Sequence, residues 1–252
     1  MKISSLSRSL FKMYRSSIVG DHCSRCRESG RQRRRNRVGP VSFWHVGRKF
    51  SNTQSVRIAF VGKTSWAERE DLHELRKKGP IWDGTSWFDY FWNDSPRWSP
   101  YWRCVRDITE RLGLGPNNLF ITNLAKCNVR RRGYRRYTDV TDLTYYQSCI
   151  DLFEKEIEIV QPSHIVLLTG SRFDSLIGSL RFGFVGYNCE HRDVTSAHFS
   201  KEIGRKSIPW WHRTFLRDRI PRTQFLRTRH PQGAPAQLAD EIVSWIDSTR
   251  SP

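Results

Sequence analysis

Short runs of β-branched and apolar residues recur along this chain, each closing on a glycine or a polar loop residue, with helical patterns in the intervals. Val56 to Val61 (VRIAFV) ends at Gly62, and Leu119 to Thr122 (LFIT) leads into Asn123. His164 to Thr169 (HIVLLT) ends at Gly170, and Gln224 to Thr228 (QFLRT) precedes His230. Runs this short and this apolar read as strands buried on both faces, as parallel strands are. Between them, Ser99 to Leu112 opens with Ser-Pro, a cap and first-turn pair, and Leu143 to Val160 carries apolar residues at helical spacing ahead of Pro162. Ala236 to Ile246 supplies a closing helix. Alternation of this kind predicts an α/β fold of three αβα layers around a central four-stranded parallel sheet.

At 252 residues the chain suits one such domain with an appendage. Its 43 Lys and Arg against 25 Asp and Glu leave a net charge of +18, a field that attracts a polyanion such as nucleic acid or an anionic membrane. The aromatics decide between them. Ten Trp, eight Tyr and fourteen Phe lie among the basic residues, and flat rings beside cations favour bases and phosphates over lipid headgroups. No stretch approaches the roughly 18 apolar residues of a membrane span, so no membrane partner is expected. Few cysteines and no secretory leader predict a reducing, cytoplasmic compartment. Residues 1–20, free of acids and rich in Ser, Lys and Arg, also fit a mitochondrial transit segment.

The first 55 residues hold thirteen Lys or Arg and two acids, with a dense run from Arg31 to Arg37. They predict a basic arm over residues 1–55, carrying the pair Cys23 and Cys26, ahead of an α/β domain over residues 56–252. A solvated tail and an arm that touches DNA phosphate are compatible readings of it. In a parallel sheet, ligands bind beyond the carboxyl ends of the strands. That rule selects the loop after Gly62, the stretch from Asn123 to Asn128, the loop after Gly170, and Arg229 to Gly233.

Motifs at these strand ends resemble those of a known family. Ile121 to Cys127 (ITNLAKC) is similar to the Thr-Asn-x-x-Lys-Cys segment of the family 4 uracil-DNA glycosylases, the iron-sulfur branch of the uracil-DNA glycosylase superfamily. Cys149 opens a helical pattern that runs to Pro162 and a strand ending at Gly170, similar to that family's order of Cys, helix, Pro, strand and Gly. Arg229-His230-Pro231-Gln232 resembles its His-Pro-Ser loop. More loosely, Gly62, then Glu70-Asp71, then Gly79 to Gly84 (GPIWDG) echo its Gly-Glu-x-Pro-Gly loop and the Glu-Asp and Gly-x-Pro-Phe-x-Gly that follow. Together these matches cover about residues 56–246.

The resemblance implies a monomeric hydrolase that flips a base out of DNA and breaks its N-glycosidic bond, leaving an abasic site. Asn123 would read the base edge through its amide, the plain alternative being a turn cap. His230 would donate to the departing base. Trp82, or Ile81 beside it, falls near the family's stacking Phe, a core Trp being the bland reading. Gly62, Lys63 and Thr64 would border the base, yet this loop (GKTSW) lacks the family's water-positioning acid. Glu70, Asp71 and Asp83 are the nearest replacements, and Lys63 as an amine nucleophile is a further option.

The altered loop, with Trp87, Trp92, Trp98 and Trp102 nearby in sequence, suggests an aromatic entrance and a base larger than uracil, such as the modified pyrimidines of phage DNA in an antiviral role. The resemblance also implies that Cys23, Cys26, Cys127 and Cys149 ligate a 4Fe-4S cluster. Alternatively the first pair binds zinc, or Cys127 and Cys149 are buried apolar residues and no metal is held. Cys104 and Cys189 match nothing and read as structural. Arg130, Arg131, Arg132, Arg135 and Arg136, in an insert rich in Arg and Tyr, and Arg229 by the His-Pro loop are expected on DNA phosphate, unless the insert is a solvated loop. A catalytically silent DNA-binding relative, and a zinc-stapled nucleic-acid module, are the competing readings.

Overall fold

Every residue of Leu119–Ala125 and of His164–Leu167 is buried, as a strand covered on both faces must be. A computed structural model describes residues 4–16, 37–38, 41–52, 55–64, 84–94, 97, 99–130, 137–138, 147–170, 173, 200–217 and 220–250. Along the chain run helix α1 (Ser5–Arg15), strands β1 (Arg37–Val38), β2 (His45–Val46) and β3 (Ile58–Thr64), and helices α2 (Phe88–Asn93) and α3 (Pro100–Arg111). Strands β4 (Leu119–Ala125), β5 (Asn128–Arg130) and β6 (Tyr137–Thr138) follow, then helix α4 (Gln147–Val160) and strand β7 (His164–Leu167). Strands β8 (Ser200–Ile203), β9 (Lys206–Arg217) and β10 (Ile220–Thr228) lead to helix α5 (Leu238–Thr249).

The main sheet has seven strands in the order β2-β4-β3-β7-β10-β9-β8. Pairing is parallel between β3 and β4, β3 and β7, and β7 and β10. It is antiparallel where β2 joins β4, β9 joins β10 and β8 joins β9. The sheet is therefore mixed and wider than the four strands expected. The flanking strands escape a sequence reading for physical reasons. β2 has only two residues. In β9, Trp210 and Trp211 are both buried, one in each core, so the alternation that marks a strand is lost.

Successive strand residues feed opposite cores. Ala59, Val61, Phe120, Leu124, Ile165 and Leu167 pack under Leu10 and Tyr14 of α1 and Phe153 of α4. Ile58, Phe60, Ile121, Val166 and Leu226 pack under Val105 and Ile108 of α3 and Ile242 and Trp245 of α5. Helices thus cover both faces of the sheet.

The described parts of the first 55 residues belong to this body. Leu10, Tyr14 and Phe43 are fully buried, β2 extends the main sheet, and Ser4 caps α1 by accepting from the Ser7 amide. The high charge of the region conceals this apolar helix face. Residues 17–36, with Cys23 and Cys26, lie outside the described residues. β1, β5 and β6 form a small second sheet, and the ends of the Arg-rich insert pair as a hairpin, Val129 with Thr138 and Arg130 with Tyr137. Arg131, Arg132, Arg135 and Arg136 lie outside the described residues.

Of the Trp residues expected at an aromatic entrance, the three that are described join a core cluster. Trp102 is buried and stacks on Phe91 at 5.2 Å, with Trp44 edge-on to both, and Trp87 and Trp92 pack against the same cluster. They fill the core beneath α2 and α3, because rings this large gain most from burial. Trp98 and Trp82 are outside the described residues. Among the described residues, no helix is long and apolar enough to cross a membrane.

Candidate functional site

Parallel pairing puts the carboxyl ends of β3, β4, β7 and β10 side by side, and the chain leaves each of them at one end of the sheet. Gly62 stands opposite Asn123 in the β3–β4 register. A Cβ on Gly62 would lie 2.4 Å from Asn123 Oδ1, so only glycine lets the Asn123 side chain lie across β3. Asn123 is buried. From β7 the chain turns at Gly170, whose φ is +69° and whose amide donates to the Thr228 carbonyl at 2.9 Å. That bond brings His230 alongside, its amide nitrogen 3.7 Å from where a Cβ of Gly170 would be.

His230 has a defined tautomer. Its Nδ1 accepts from the Gln232 amide at 3.2 Å, which leaves the proton of the neutral ring on Nε2 as a donor. A third residue completes the group, and the sequence reading missed it. Tyr101, in the first turn of α3, puts Cε2 and Cζ 3.5 Å from the position a Gly62 Cβ would take. Its ring lies near-parallel to that of His230, centroids 6.3 Å apart at 19°. The Tyr101 hydroxyl is buried and has no hydrogen-bond partner among the described residues, and burial pushes its pKa up, so it stays protonated. Tyr101 leads the same helical stripe as Val105 and Ile108, at the point where the core gives way to the strand ends. That periodicity is the signal by which the sequence could have revealed it.

Of the expected site residues, the fold gathers Gly62, Asn123 and His230. Lys63 is half-buried on β3, Thr64 pairs its backbone with Ala125, and Arg229 is half-buried beside His230. The acids offered as replacements, Glu70, Asp71 and Asp83, lie outside the described residues. A basic hairpin adjoins the His230 loop and was not foreseen. Lys206 donates through Nζ to the Gly233 carbonyl at 3.2 Å, Arg229 Nη2 lies 3.8 Å from the Cβ position of Gly233, and Arg205 is exposed at the β8–β9 turn. Among the described residues no carboxylate pairs with these three cations.

Cys127 and Cys149 meet on the other face of the sheet, away from Asn123, and both are buried. The Lys126 amide donates to Cys149 Sγ at 3.4 Å, which brings that sulfur to within one residue of Cys127. Beside them lies a buried polar cluster. Lys126 Nζ donates at 2.6 Å to both Glu156 Oε2 and Thr122 Oγ1, Thr122 donates to Glu156 at 2.9 Å, and Tyr14 donates to the other carboxylate oxygen. Desolvation pulls the Lys126 pKa down and Glu156 opposes it. Cys104, partly buried on α3, has its thiol pushed up to about 12 by burial and then by Asp107, which suits a structural residue.

Compared with protein-family models and with curated proteins, the chain matches none. Fold and site together define an α/β protein with an amide, an imidazole and a phenol converging at the carboxyl ends of parallel strands, flanked by cations that no described carboxylate neutralises.

Proposed function

We propose that this protein is a DNA glycosylase of the uracil-DNA glycosylase kind, which flips a pyrimidine out of DNA and hydrolyses its bond to the sugar. The observation that carries the reading is the meeting of Gly62, Asn123 and His230, residues distant in sequence, at one end of the sheet. Asn123 both donates and accepts, as reading a base edge requires. The His230 Nε2–H suits an acidic partner for the leaving base, whose ring takes the electron pair of the broken bond while water adds to the sugar carbon. With no carboxylate in the described first loop, the water-positioning acid falls to Glu70, Asp71 or Asp83. The four parallel strands and the basic hairpin fit the same reading, with DNA as partner.

The buried, adjacent thiols of Cys127 and Cys149 suit two ligands of a 4Fe-4S cluster, to be completed by Cys23 and Cys26. Such a cluster would tie β4 and α4 to the N-terminal segment. Zinc at the same thiols is the alternative, and iron analysis with visible absorbance separates the two.

Incubation of the purified protein with duplexes carrying uracil, thymine or modified pyrimidines, with mass analysis of the released base, tests the function. Free base is expected from at least one duplex, and His230→Ala and Asn123→Ala are expected to reduce its rate by about 100-fold or more. Gly62→Ala, which displaces the Asn123 side chain, is expected to slow release while the protein still folds. A catalytically silent DNA-binding relative is the second reading, favoured by the carboxylate-free first loop. It predicts duplex binding with no free base from any substrate.

A further inference from the structure

A buried polar group with no partner is costly, so each one calls for a physical account, and one that lies at a candidate site suits a ligand contact. The Tyr101 hydroxyl is such a group among the described residues. Three features mark it as part of the site: its ring edge faces Gly62, the Asn123 amide oxygen occupies the same spot above Gly62 from the neighbouring strand, and its ring runs near-parallel to His230. The rest of the ring is held by Trp102, which meets it edge-on at 5.5 Å, and by the first turn of α3, so the hydroxyl is fixed in position before anything binds.

We propose that Tyr101 is a substrate-contacting residue, whose hydroxyl donates a hydrogen bond to a carbonyl oxygen of the base held between Gly62, Asn123 and His230. This rests on the glycosylase reading and names a group for it. A protonated phenol in a dry site can donate but cannot serve as a base, so Tyr101 selects a base with an oxo group on the edge it meets. A base with an amino group there could donate to the phenol oxygen but would leave the buried O–H proton without an acceptor, and a site built around such a bond penalises that loss.

Tyr101→Phe removes the hydroxyl and keeps the ring. Because the lost group satisfies nothing in the free protein, the melting temperature is expected to hold or rise, while base release falls roughly 10- to 100-fold. A binding measurement stands apart from turnover. In protein labelled with ¹³C-tyrosine, the Tyr101 ring resonance, assigned by its loss in Tyr101→Phe, is expected to shift as free uracil is added. A resonance that does not move, or a Tyr101→Phe protein as fast as the parent, overturns the proposal. If the resonance moves but no duplex yields free base, the contact stands and the glycosylase reading fails.

Discussion

Lys126 and Glu156 are 1% and 0% exposed, and a charge placed so deep is tolerated only because its partners are complete. The ammonium has Glu156 and Thr122, and the carboxylate has Lys126, Thr122 and Tyr14. Removing one side leaves the other charged and buried. Lys126→Met or Glu156→Leu is therefore expected to cost about 3–5 kcal/mol in urea unfolding. The double variant is expected to lose clearly less than the sum of the singles, and strict additivity would show that the two groups are not coupled. The cluster joins α1, β4 and α4, and Thr122 and Lys126 flank the strand segment that carries Asn123. A residue read from the sequence only as part of a Lys-Cys motif is thus a structural tie.

At the scale of elements, the β8–β9 hairpin and the His230 loop act as one unit. Lys206 bonds the loop at Gly233, and Gly204, at φ +60° in the hairpin turn, sits against Gln237 just before α5. Glu241 is taken up by Lys201 and Asp240 by Arg111. Arg205, Lys206 and Arg229 are left facing outward or into the loop, suited to phosphate. Arg205→Glu with Lys206→Glu is expected to weaken duplex binding in a fluorescence anisotropy titration. It should also reduce the slope of log affinity against log salt by about 0.9 for each phosphate that the hairpin no longer neutralises. An unchanged slope would mean that the hairpin does not touch the DNA backbone.

For the whole molecule, two histidines away from the site couple stability to acid. His164, at the start of β7, is 3% exposed, with Ser163 at 3.0 Å, Thr249 at 3.2 Å and the Trp245 ring edge-on. Burial, and secondarily the Arg250 cation, lower its pKa from 6.5 to about 4. His45, stacked on Phe88 and donating to the Pro116 carbonyl, is lowered to about 4 for the same first reason. Between those values the unfolded chain binds protons that the folded one refuses. The stabilisation is complete above pH 6.5 and is lost as pH falls towards 4, by up to about 3 kcal/mol per ring. Unfolding free energies measured across that range are expected to fall, and His164→Gln is expected to flatten the decline.

The strands β3, β4, β7 and β10 and the helices α3, α4 and α5 were legible in the sequence, because apolar periodicity is a local property that each segment carries alone. The same holds for the strand-end positions of Gly62, Asn123 and His230. Other features depend on which segments meet. That β2 and β9 add antiparallel flanks, that Tyr101 faces Gly62, that Lys126 finds Glu156 and that α1 is core are all contacts between residues far apart in sequence. Local patterns do not encode such pairings. Burial of both faces of one sheet selects them, and only the tertiary structure decided them.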